Sequence, residues 1–246
     1  MTSSSTPIPP RRPAIVGHRG AAAHVAENTM ASFRRALADG AQLLECDVHL
    51  SADGQVVIMH DETIDRTAAA DSPLRSGAIG ALTRAELDRV RLAEGEGVPS
   101  LDELLAATTV PVFIEVKVAR AAAAVAAALR ALPADAPAAA STVISFHAEA
   151  LAEIRRDAET AVSYLVGTVD EQAIETAVAL GARGLGPAIG GLSLRGAEAV
   201  HAAGLELNPW TVNRPEQLEV ALACGADTIT TDDPGWVRRE LDARGL

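Results

Sequence analysis

The sequence predicts an α/β fold, a (β/α)8 TIM barrel with a small insertion after strand 2. Short apolar segments alternate with helical ones from residue 14 to the C-terminus, giving eight strand–helix units and one extra hairpin strand. Alternating units with short loops form a parallel sheet, and eight of them close into a barrel. The length of 246 residues suits one such barrel. A doubly wound open sheet is the alternative, disfavoured because no G-x-G-x-x-G follows the first strand.

The first unit shows how helix boundaries are encoded. Residues 14–17 are a short apolar strand, and Asn28 or Thr29 is placed to cap the helix that follows. A glycine then closes the helix within an Ala-x-Gly-Ala phrase. The phrase occurs at residues 38–41, 179–182 and 223–226. Each glycine fits the left-handed position just after a helix, so each phrase predicts a helix-to-strand junction.

The second unit departs from the simple alternation. Extended segments at 43–50 and 55–59 flank Ala52-Asp53-Gly54, which is typical of a β-hairpin. Residues 61–98 are polar and weakly periodic, with one short helix predicted at the capping box Thr83-x-x-Glu86. This segment is too short for a domain, so it is the predicted insertion.

The remaining units are regular. Capping boxes at Ser100-x-x-Glu103 and Asn213-x-x-Glu216 predict helix starts, and Asp170 is placed to cap another helix. Strands are predicted at 110–118, 143–146, 161–166, 184–185, 205–212 and 226–230, and helices at 120–132 and 234–243.

Composition indicates a single domain at 13–246 after a disordered tail at 1–12. The tail is polar and Pro-rich and lacks the apolar core of a signal peptide. No apolar run reaches the roughly 18 residues of a membrane span. Cys46 and Cys224 follow no metal or redox spacing, which favours a reducing compartment. We therefore expect a cytoplasmic protein, and the sequence leaves a homo-oligomer open.

The net charge is −12, with 33 acidic against 21 basic residues. Nucleic acids and anionic membranes attract basic surfaces, so we expect neither nucleic-acid binding nor stable membrane association. An anionic substrate would need local cations at its site.

Three carboxylates are predicted to converge at the barrel mouth, where such folds carry their chemistry. Glu45 and Asp47 share one face of the second strand, and Glu115 and Lys117 share one face of the next. Unpaired buried carboxylates repel one another, and a divalent cation relieves that repulsion. Oxygen ligands suit Ca²⁺ or Mg²⁺ better than Zn²⁺. An ion-pair network with Lys117 is the alternative.

Two histidines follow strands at the same end. His18 and His60 are candidates for general acid and base because imidazole titrates near neutral pH. Arg19 and Lys117 are candidates for binding a phosphate oxygen and for stabilising charge in the transition state.

Motifs spread over nearly the whole chain resemble the glycerophosphodiester phosphodiesterases. They are His18-Arg19-Gly20, Glu27-Asn28-Thr29, Glu45-Cys46-Asp47-Val48, Asp53-Gly54, His60-Asp61, Arg66-Thr67, residues 99–103, Ile114-Glu115-Val116-Lys117, Ser145-Phe146-His147, Trp210-Thr211-Val212-Asn213 and Thr231-Asp232-Asp233-Pro234. Ala26 stands where the family commonly has proline, and residues 68–71 also depart from its pattern, which concerns the substrate rim more than the reaction.

The resemblance implies a (β/α)8 barrel that hydrolyses glycerophosphodiesters to glycerol 3-phosphate and an alcohol. By position, Glu45, Asp47 and Glu115 would hold Ca²⁺ or Mg²⁺, His18 and His60 would be the acid–base pair, Arg19 and Lys117 would contact the phosphate, and Trp210 would pack against the glycerol. The attacking oxygen is either water or the glycerol 2-hydroxyl, which would give a cyclic phosphate. Which histidine is the acid stays open, as does the preferred head group.

Two other functions compete with this hypothesis. One is a phospholipase-D-like enzyme of the same barrel that acts on lysophospholipids or sphingolipids, which would need an apolar mouth. The other is a non-catalytic barrel that binds a metabolite or a protein. The short, weakly apolar insertion argues against the first, and the complete set of histidines and carboxylates argues against the second. Fold alone would not rank them.

Overall fold

The structure is a computed structural model that describes residues 12–156 and 160–246. The predicted disordered tail lies outside the described residues, apart from Arg12. The strands are β1 Ala14–Gly17, β2 Leu43–Leu50, β3 Val56–Ile58, β4 Val112–Val116, β5 Thr142–Ser145, β6 Ala161–Val166, β7 Gly184–Pro187, β8 Glu206–Leu207 and β9 Thr228–Thr231. The helices are α1 Met30–Ala38, α2 Arg84–Leu87, α3 Leu101–Ala107, α4 Ala122–Arg130, α5 Ala148–Arg155, α6 Glu171–Ala179, α7 Leu194–Ala202, α8 Pro215–Ala223 and α9 Pro234–Ala243.

Eight parallel strands form the barrel in the order β8-β7-β6-β5-β4-β2-β1-β9, and β3 pairs antiparallel with β2. Single hydrogen bonds connect the two ends of this order. The Asp227 amide donates to the Leu207 carbonyl at 2.9 Å, and the Val212 amide donates to the Thr230 carbonyl at 2.8 Å. The predicted barrel and its hairpin are therefore confirmed, and the open sheet is not formed.

The barrel is packed on both faces of its strands. Outward-facing apolar side chains, Cys46 among them, pack against the helices. Inside the barrel, Val16, Phe113, Ile144 and Leu165 form a separate apolar cluster. Alanines such as Ala122 and Ala126 of α4 are buried, so the helices approach the sheet closely without large side chains.

The predicted helix-to-strand junctions adopt the expected backbone. The glycines of the three Ala-x-Gly-Ala phrases all have positive φ, at 97° for Gly40, 61° for Gly181 and 67° for Gly225. Residues with a Cβ rarely adopt this conformation, so the phrase is a backbone requirement.

Two details near the C-terminal strands differ from the prediction. The extended segment 205–212 contributes only the two residues of β8 to the ladder. Asn213 does not cap α8, since Arg214 occupies that position without a side-chain hydrogen bond. The Asn213 side chain bonds instead to the end of β9, donating to Asp232 Oδ2 at 2.6 Å and accepting from the Asp232 amide at 2.9 Å. The contact with Asp232 therefore replaces the capping role that the local sequence predicted for Asn213.

The insertion, residues 61–98, packs around its own apolar cluster, which includes Ile64, Ile79 and Leu87. It is also tied to the barrel, because Glu96 accepts a hydrogen bond from the Ala31 amide in the first turn of α1 at 3.2 Å. The predicted capping box at Thr83 and Glu86 is present. Within the described part of the chain, none of the helices combines the length and apolar character needed to cross a membrane.

Candidate active site

The three predicted carboxylates meet at the C-terminal end of neighbouring strands. Asp47 of β2 stands directly beside Glu115 of β4 in the sheet register, and Glu45 lies two residues earlier on the same face. One ligand oxygen from each lies within 4.8 Å of the others. We call Glu45, Asp47 and Glu115 the carboxylate cluster.

The cluster carries negative charge that its protein neighbours only partly satisfy. Glu45 Oε1 and Asp47 Oδ1 are buried without a hydrogen-bond partner among the described residues. Burial and repulsion from Asp47 raise the pKa of Glu45 to about 8. Burial likewise raises the pKa of Glu115, again with repulsion from Asp47. Buried oxygens in this condition are costly unless something pairs with them, so the donor set fits a hard divalent cation.

Two cations flank the cluster. Lys117 Nζ donates to Glu115 Oε1 at 2.8 Å and lies 3.4 Å from Asp47 Oδ1. Arg19 Nε lies 3.2 Å from Asp47 Oδ2. Burial would raise the pKa of Asp47, but the two cations outweigh it and lower that pKa. Asp47 is therefore the cluster member most firmly held as a carboxylate.

The loop after β1 brings further groups to the cluster through unusual backbone. Arg19 and Asn28 have positive φ, at 50° and 58°. This geometry turns the Arg19 amide toward Glu45 Oε2 at 2.8 Å and the Asn28 amide nitrogen Nδ2 toward Asp47 Oδ2 at 2.8 Å. Positive φ is uncommon outside glycine, although asparagine tolerates it better than most residues. The loop thus orients two members of the carboxylate cluster.

His18 is held by a carboxylate from the opposite end of the chain. Its Nδ1 lies 2.5 Å from Asp232 Oδ1, and its Nε2 lies 4.0 Å from Glu45 Oε2. Burial opposes protonation of the imidazole, but the bond to Asp232 and the negative charges of Glu45 and Asp232 together outweigh it and raise the pKa of His18. Asn213 holds Asp232 in turn, so the imidazole sits at the end of a chain of hydrogen bonds.

His60 is held by its neighbour in sequence. Its Nδ1 lies 2.7 Å from Asp61 Oδ1. Arg66 Nε donates to Asp61 Oδ2 at 2.6 Å, and Arg66 Nη2 donates to Glu27 Oε1 at 2.6 Å. We call Glu27, Asp61 and Arg66 the rim network, since it joins the loop after β1 to the insertion at the edge of the mouth. Hydrogen bonds from Arg66 lower the pKa of Asp61 well below its usual range.

His49 lies on the same face of β2 as the carboxylate cluster, but it supports His60 from below. Its Nε2 lies 3.1 Å from the His60 carbonyl oxygen. Burial lowers the pKa of His49.

A cavity opens beside the cluster, inside the barrel. His18, Glu45 and Glu115 line one part of it, and Trp210 lines another. The Trp210 indole donates to the Gly186 carbonyl at 2.8 Å, and Phe146 stacks on it edge-to-face with ring centroids 5.5 Å apart. Trp210 is therefore fixed as a wall of this cavity.

The structure brings the predicted site residues into one mouth. It also adds three that sequence reasoning gave no role: Asp232, Asp61 and Arg66. Asp232 directly follows β9, so the strand-end rule that singled out His18 could have found it. Arg66 lies in an irregular segment, where no periodic signal marks it.

The two histidines and the cations of this mouth have the chemistry needed to transfer protons and to bind an anion. Each histidine has Nδ1 bonded to a carboxylate, which leaves Nε2 available to a substrate. This is the arrangement used when imidazole transfers protons at a reacting centre. The cations beside the cluster can bind an anion.

Comparisons with known proteins agree with this geometry. The model of the glycerophosphoryl diester phosphodiesterase family matches residues 18–236. A glycerophosphodiester phosphodiesterase from Caldanaerobacter subterraneus is 29% identical over 231 residues, covering 89% of this chain and 94% of that protein.

Solved structures give the same result. A phosphodiesterase from Oleispira antarctica, in complex with the product sn-glycerol-3-phosphate, superposes with a TM-score of 0.85 at 26% identity, covering 94% of this chain and 97% of that one. A glycerophosphodiester phosphodiesterase from Parabacteroides distasonis gives a TM-score of 0.81 at 27% identity, covering 95% and 98%.

Proposed function

The chain belongs to the glycerophosphoryl diester phosphodiesterase family and is an enzyme of that class, and from this premise we propose its substrates, metal and catalytic groups. The reaction is the metal-dependent hydrolysis of glycerophosphodiesters to glycerol 3-phosphate and an alcohol. His18 and His60 are its acid–base pair.

One observation carries the assignment of the histidines. Both present Nε2 at the mouth that holds the carboxylate cluster, and a carboxylate fixes Nδ1 of each. His18 Nε2 is 4.0 Å from Glu45 Oε2, and Met59, the residue before His60, donates its amide hydrogen to the Asp47 carbonyl at 2.9 Å. A phosphodiester bound at the cluster would therefore have the His18 imidazole on one side and the His60 imidazole on another.

Glu45, Asp47 and Glu115 would hold the cation, which we propose is Ca²⁺ or Mg²⁺. When bound, the cation supplies Lewis-acid polarisation of the phosphorus and neutralises charge on a phosphate oxygen. Two buried oxygens of the cluster, Glu45 Oε1 and Asp47 Oδ1, lack a hydrogen bond among the described residues, which supports this assignment.

The proton transfers fall to the histidines. One Nε2 accepts the proton of the attacking oxygen, and the other donates a proton to the leaving alkoxide. Attack by water and attack by the glycerol 2-hydroxyl make the same demand on the pair. The bonds to Asp232 and Asp61 hold each ring in the tautomer with Nε2 free for transfer.

Arg19 and Lys117 would bind the phosphate. Both guanidinium and ammonium groups face the cluster, and both side chains are partly accessible at the mouth. As negative charge develops on the phosphate oxygens, these preorganised cations stabilise it. Trp210 would pack against the glycerol moiety in the cavity that it lines.

The acidic surface, the cysteine pattern and the composition of the chain support a cytoplasmic enzyme that acts on free small molecules. A net charge of −12 argues against a broad basic surface of the kind that nucleic acids and anionic membranes attract. We propose that it binds neither nucleic acid nor stable membrane surface.

The test is a coupled assay for glycerol 3-phosphate released from glycerophosphocholine. It is run with Ca²⁺, with Mg²⁺ and with EDTA, using the wild type and His18→Ala. We expect release with a divalent cation, and loss of release with EDTA or in the variant. A folded wild type that releases nothing with either metal contradicts the proposal and favours a lysophospholipid substrate or a binding role.

A further inference from the structure

The cavity beside the carboxylate cluster has a second polar surface that the proposed chemistry does not use. Ser163, Asn208 and Thr230 line it, and their exposed fractions are 1%, 5% and 4%. We call these three residues the polar wall. These side chains are largely shielded from bulk solvent and line the cavity with polar atoms.

Asn208, the middle residue of the polar wall, stands across the barrel from Glu115 of the carboxylate cluster. Asn208 directly follows β8, and β8 is four strands away from β4 along the sheet order. In an eight-stranded barrel this is the opposite side. Ser163 lies on β6 and Thr230 on β9, to either side of Asn208. Phe113, Ile144 and Leu165 complete the cavity with apolar surface.

The wall has hydrogen-bonding capacity left over. Asn208 Oδ1 accepts from the Thr228 hydroxyl at 3.1 Å, and one Asn208 N–H reaches Ser163 Oγ at a long 3.4 Å. The second Asn208 N–H and the Ser163 hydroxyl proton make no further bond to the described residues. Nor does the Thr230 hydroxyl have a partner there. The wall therefore offers three donors, and two hydroxyl oxygens that can accept, to whatever enters the cavity.

The hydrogen-bonding groups of the wall fit a neutral hydroxyl of a glycerophosphodiester better than they fit its other parts. A trimethylammonium group has neither N–H donor nor acceptor, so it would leave every wall group unsatisfied. A neutral hydroxyl both donates and accepts, and apolar surface on the flanks suits a short carbon chain. The cavity contains no cation of its own beyond the mouth, so a second phosphate would also be unmatched.

We propose that the polar wall is a specificity determinant that binds a free hydroxyl of the glycerol half of the substrate. The inference rests on the proposed hydrolysis of glycerophosphodiesters. With the phosphate at the carboxylate cluster, the three-carbon chain extends across the cavity and its distal hydroxyl reaches the wall. The alcohol head group then lies outside the cavity.

The experiment compares two phosphocholine diesters, glycerophosphocholine and the 2-hydroxypropyl analogue that lacks only the distal hydroxyl. Choline release is measured for both, giving a ratio of kcat/KM values for each protein. The proteins are wild type, Thr230→Val and Ser163→Ala. Thr142→Val is the matched control, since Thr142 is an equally buried strand threonine that does not line the cavity.

We expect the wild type to prefer glycerophosphocholine by about tenfold or more, because a site built for a hydroxyl penalises its absence. Thr230→Val and Ser163→Ala should each bring this ratio closer to one, while Thr142→Val leaves the ratio at the wild-type value. Thermal denaturation of each variant shows whether it is folded.

Three outcomes distinguish the possibilities. A ratio that is the same in all four proteins overturns the inference, since the wall then binds only solvent. A wild type that hydrolyses both diesters equally overturns it as well, while the proposed phosphodiesterase activity stands. A folded wild type that cleaves neither diester with any divalent cation removes the proposed function, and this inference with it.

Discussion

The two histidines of the mouth are held in contrasting ways. His18 Nδ1 is hydrogen-bonded to Asp232, which lies 214 residues later in the chain and directly follows the barrel strand β9. His60 Nδ1 is hydrogen-bonded to the adjacent Asp61, and Asp61 in turn accepts a hydrogen bond from the exposed Arg66 at the rim. The side chain of His18 is 18% exposed and that of His60 is 33% exposed. The two carboxylates are about equally exposed, at 31% for Asp232 and 29% for Asp61, but Asp232 is held by Asn213 at the end of a barrel strand, whereas Asp61 is held by the half-exposed Arg66.

This difference indicates where the site tolerates change. A part-buried bond to a charged group costs more to lose than an ion pair with a half-exposed arginine, because water replaces much of the exposed ion pair. We therefore expect both histidines to matter equally for proton transfer, but their supporting residues to matter unequally. The predictions below separate these two statements.

The largest effect is expected from the histidines themselves. His18→Ala and His60→Ala should each lower kcat by about 10²- to 10⁴-fold, the usual range for a general acid or base. His201→Ala, on the outer helix α7, is the control and should leave kcat unchanged. Steady-state release of glycerol 3-phosphate measures all three. If either mouth variant keeps wild-type kcat, that histidine is not part of the pair.

The second largest effect is expected on stabilisation by a bound cation, tested with one carboxylate from the carboxylate cluster and one from the rim network. Ca²⁺ or Mg²⁺ should raise the melting temperature, with a stabilisation of about 2.7 kcal/mol at a concentration 100 times the Kd. Glu45→Gln removes a member of the carboxylate cluster and should abolish the shift. Glu27→Gln changes the rim network and should retain it. A full shift in Glu45→Gln would mean that the cluster is an ion-pair network with Lys117.

The third effect concerns Asp232. Asp232→Asn should lower kcat/KM about tenfold, since it weakens a charged bond to the more buried of the two histidines, and Asp61→Asn should have a smaller effect. Asp232 raises the pKa of His18, so its removal lowers that pKa. The limb of the pH–rate profile that reports His18 should then move to lower pH.

Asp233→Asn is the matched control for this measurement. Asp233 is the next residue, and it caps α9 by accepting from the Trp236 amide, a role that asparagine can keep. Its pH profile should coincide with that of the wild type at saturating metal. A limb that moves to higher pH in Asp232→Asn contradicts the assigned role of Asp232.

The smallest effect is expected at the rim. Arg66→Ala breaks the ion pairs to Asp61 and Glu27, and since the side chain is half exposed it should lower the free energy of unfolding by at most about 1 kcal/mol. The loss should shrink in high salt. Denaturant titration at low and high salt measures both. A loss above about 2 kcal/mol that salt does not change would show that the rim is as tightly built as the barrel side.

Much of the fold follows from local sequence signals. The helix-ending glycines, the capping boxes at Ser100 and Thr83, and the bounds of β6 and α9 agree with the structure, because short-range backbone and side-chain chemistry sets them. The capping role predicted for Asn213 was wrong, since a capping pattern does not reveal that a stronger partner lies at the end of the neighbouring strand.

The chain by itself determined which residues could carry chemistry. Strand periodicity placed Glu45, Asp47 and Glu115 on inward faces, and strand ends placed His18 and His60 at the mouth. These inferences succeed because side-chain direction in a strand depends only on residue parity, and because parallel strands all end at one rim.

Only the tertiary structure decided the partners. The bond of His18 to Asp232, the rim network around Arg66 and the polar wall of Ser163, Asn208 and Thr230 join residues far apart in sequence. Such contacts depend on barrel closure and strand register, which fix positions across the barrel that no local pattern encodes. The sequence thus names the candidate reacting groups, and the closed barrel sets what each one touches.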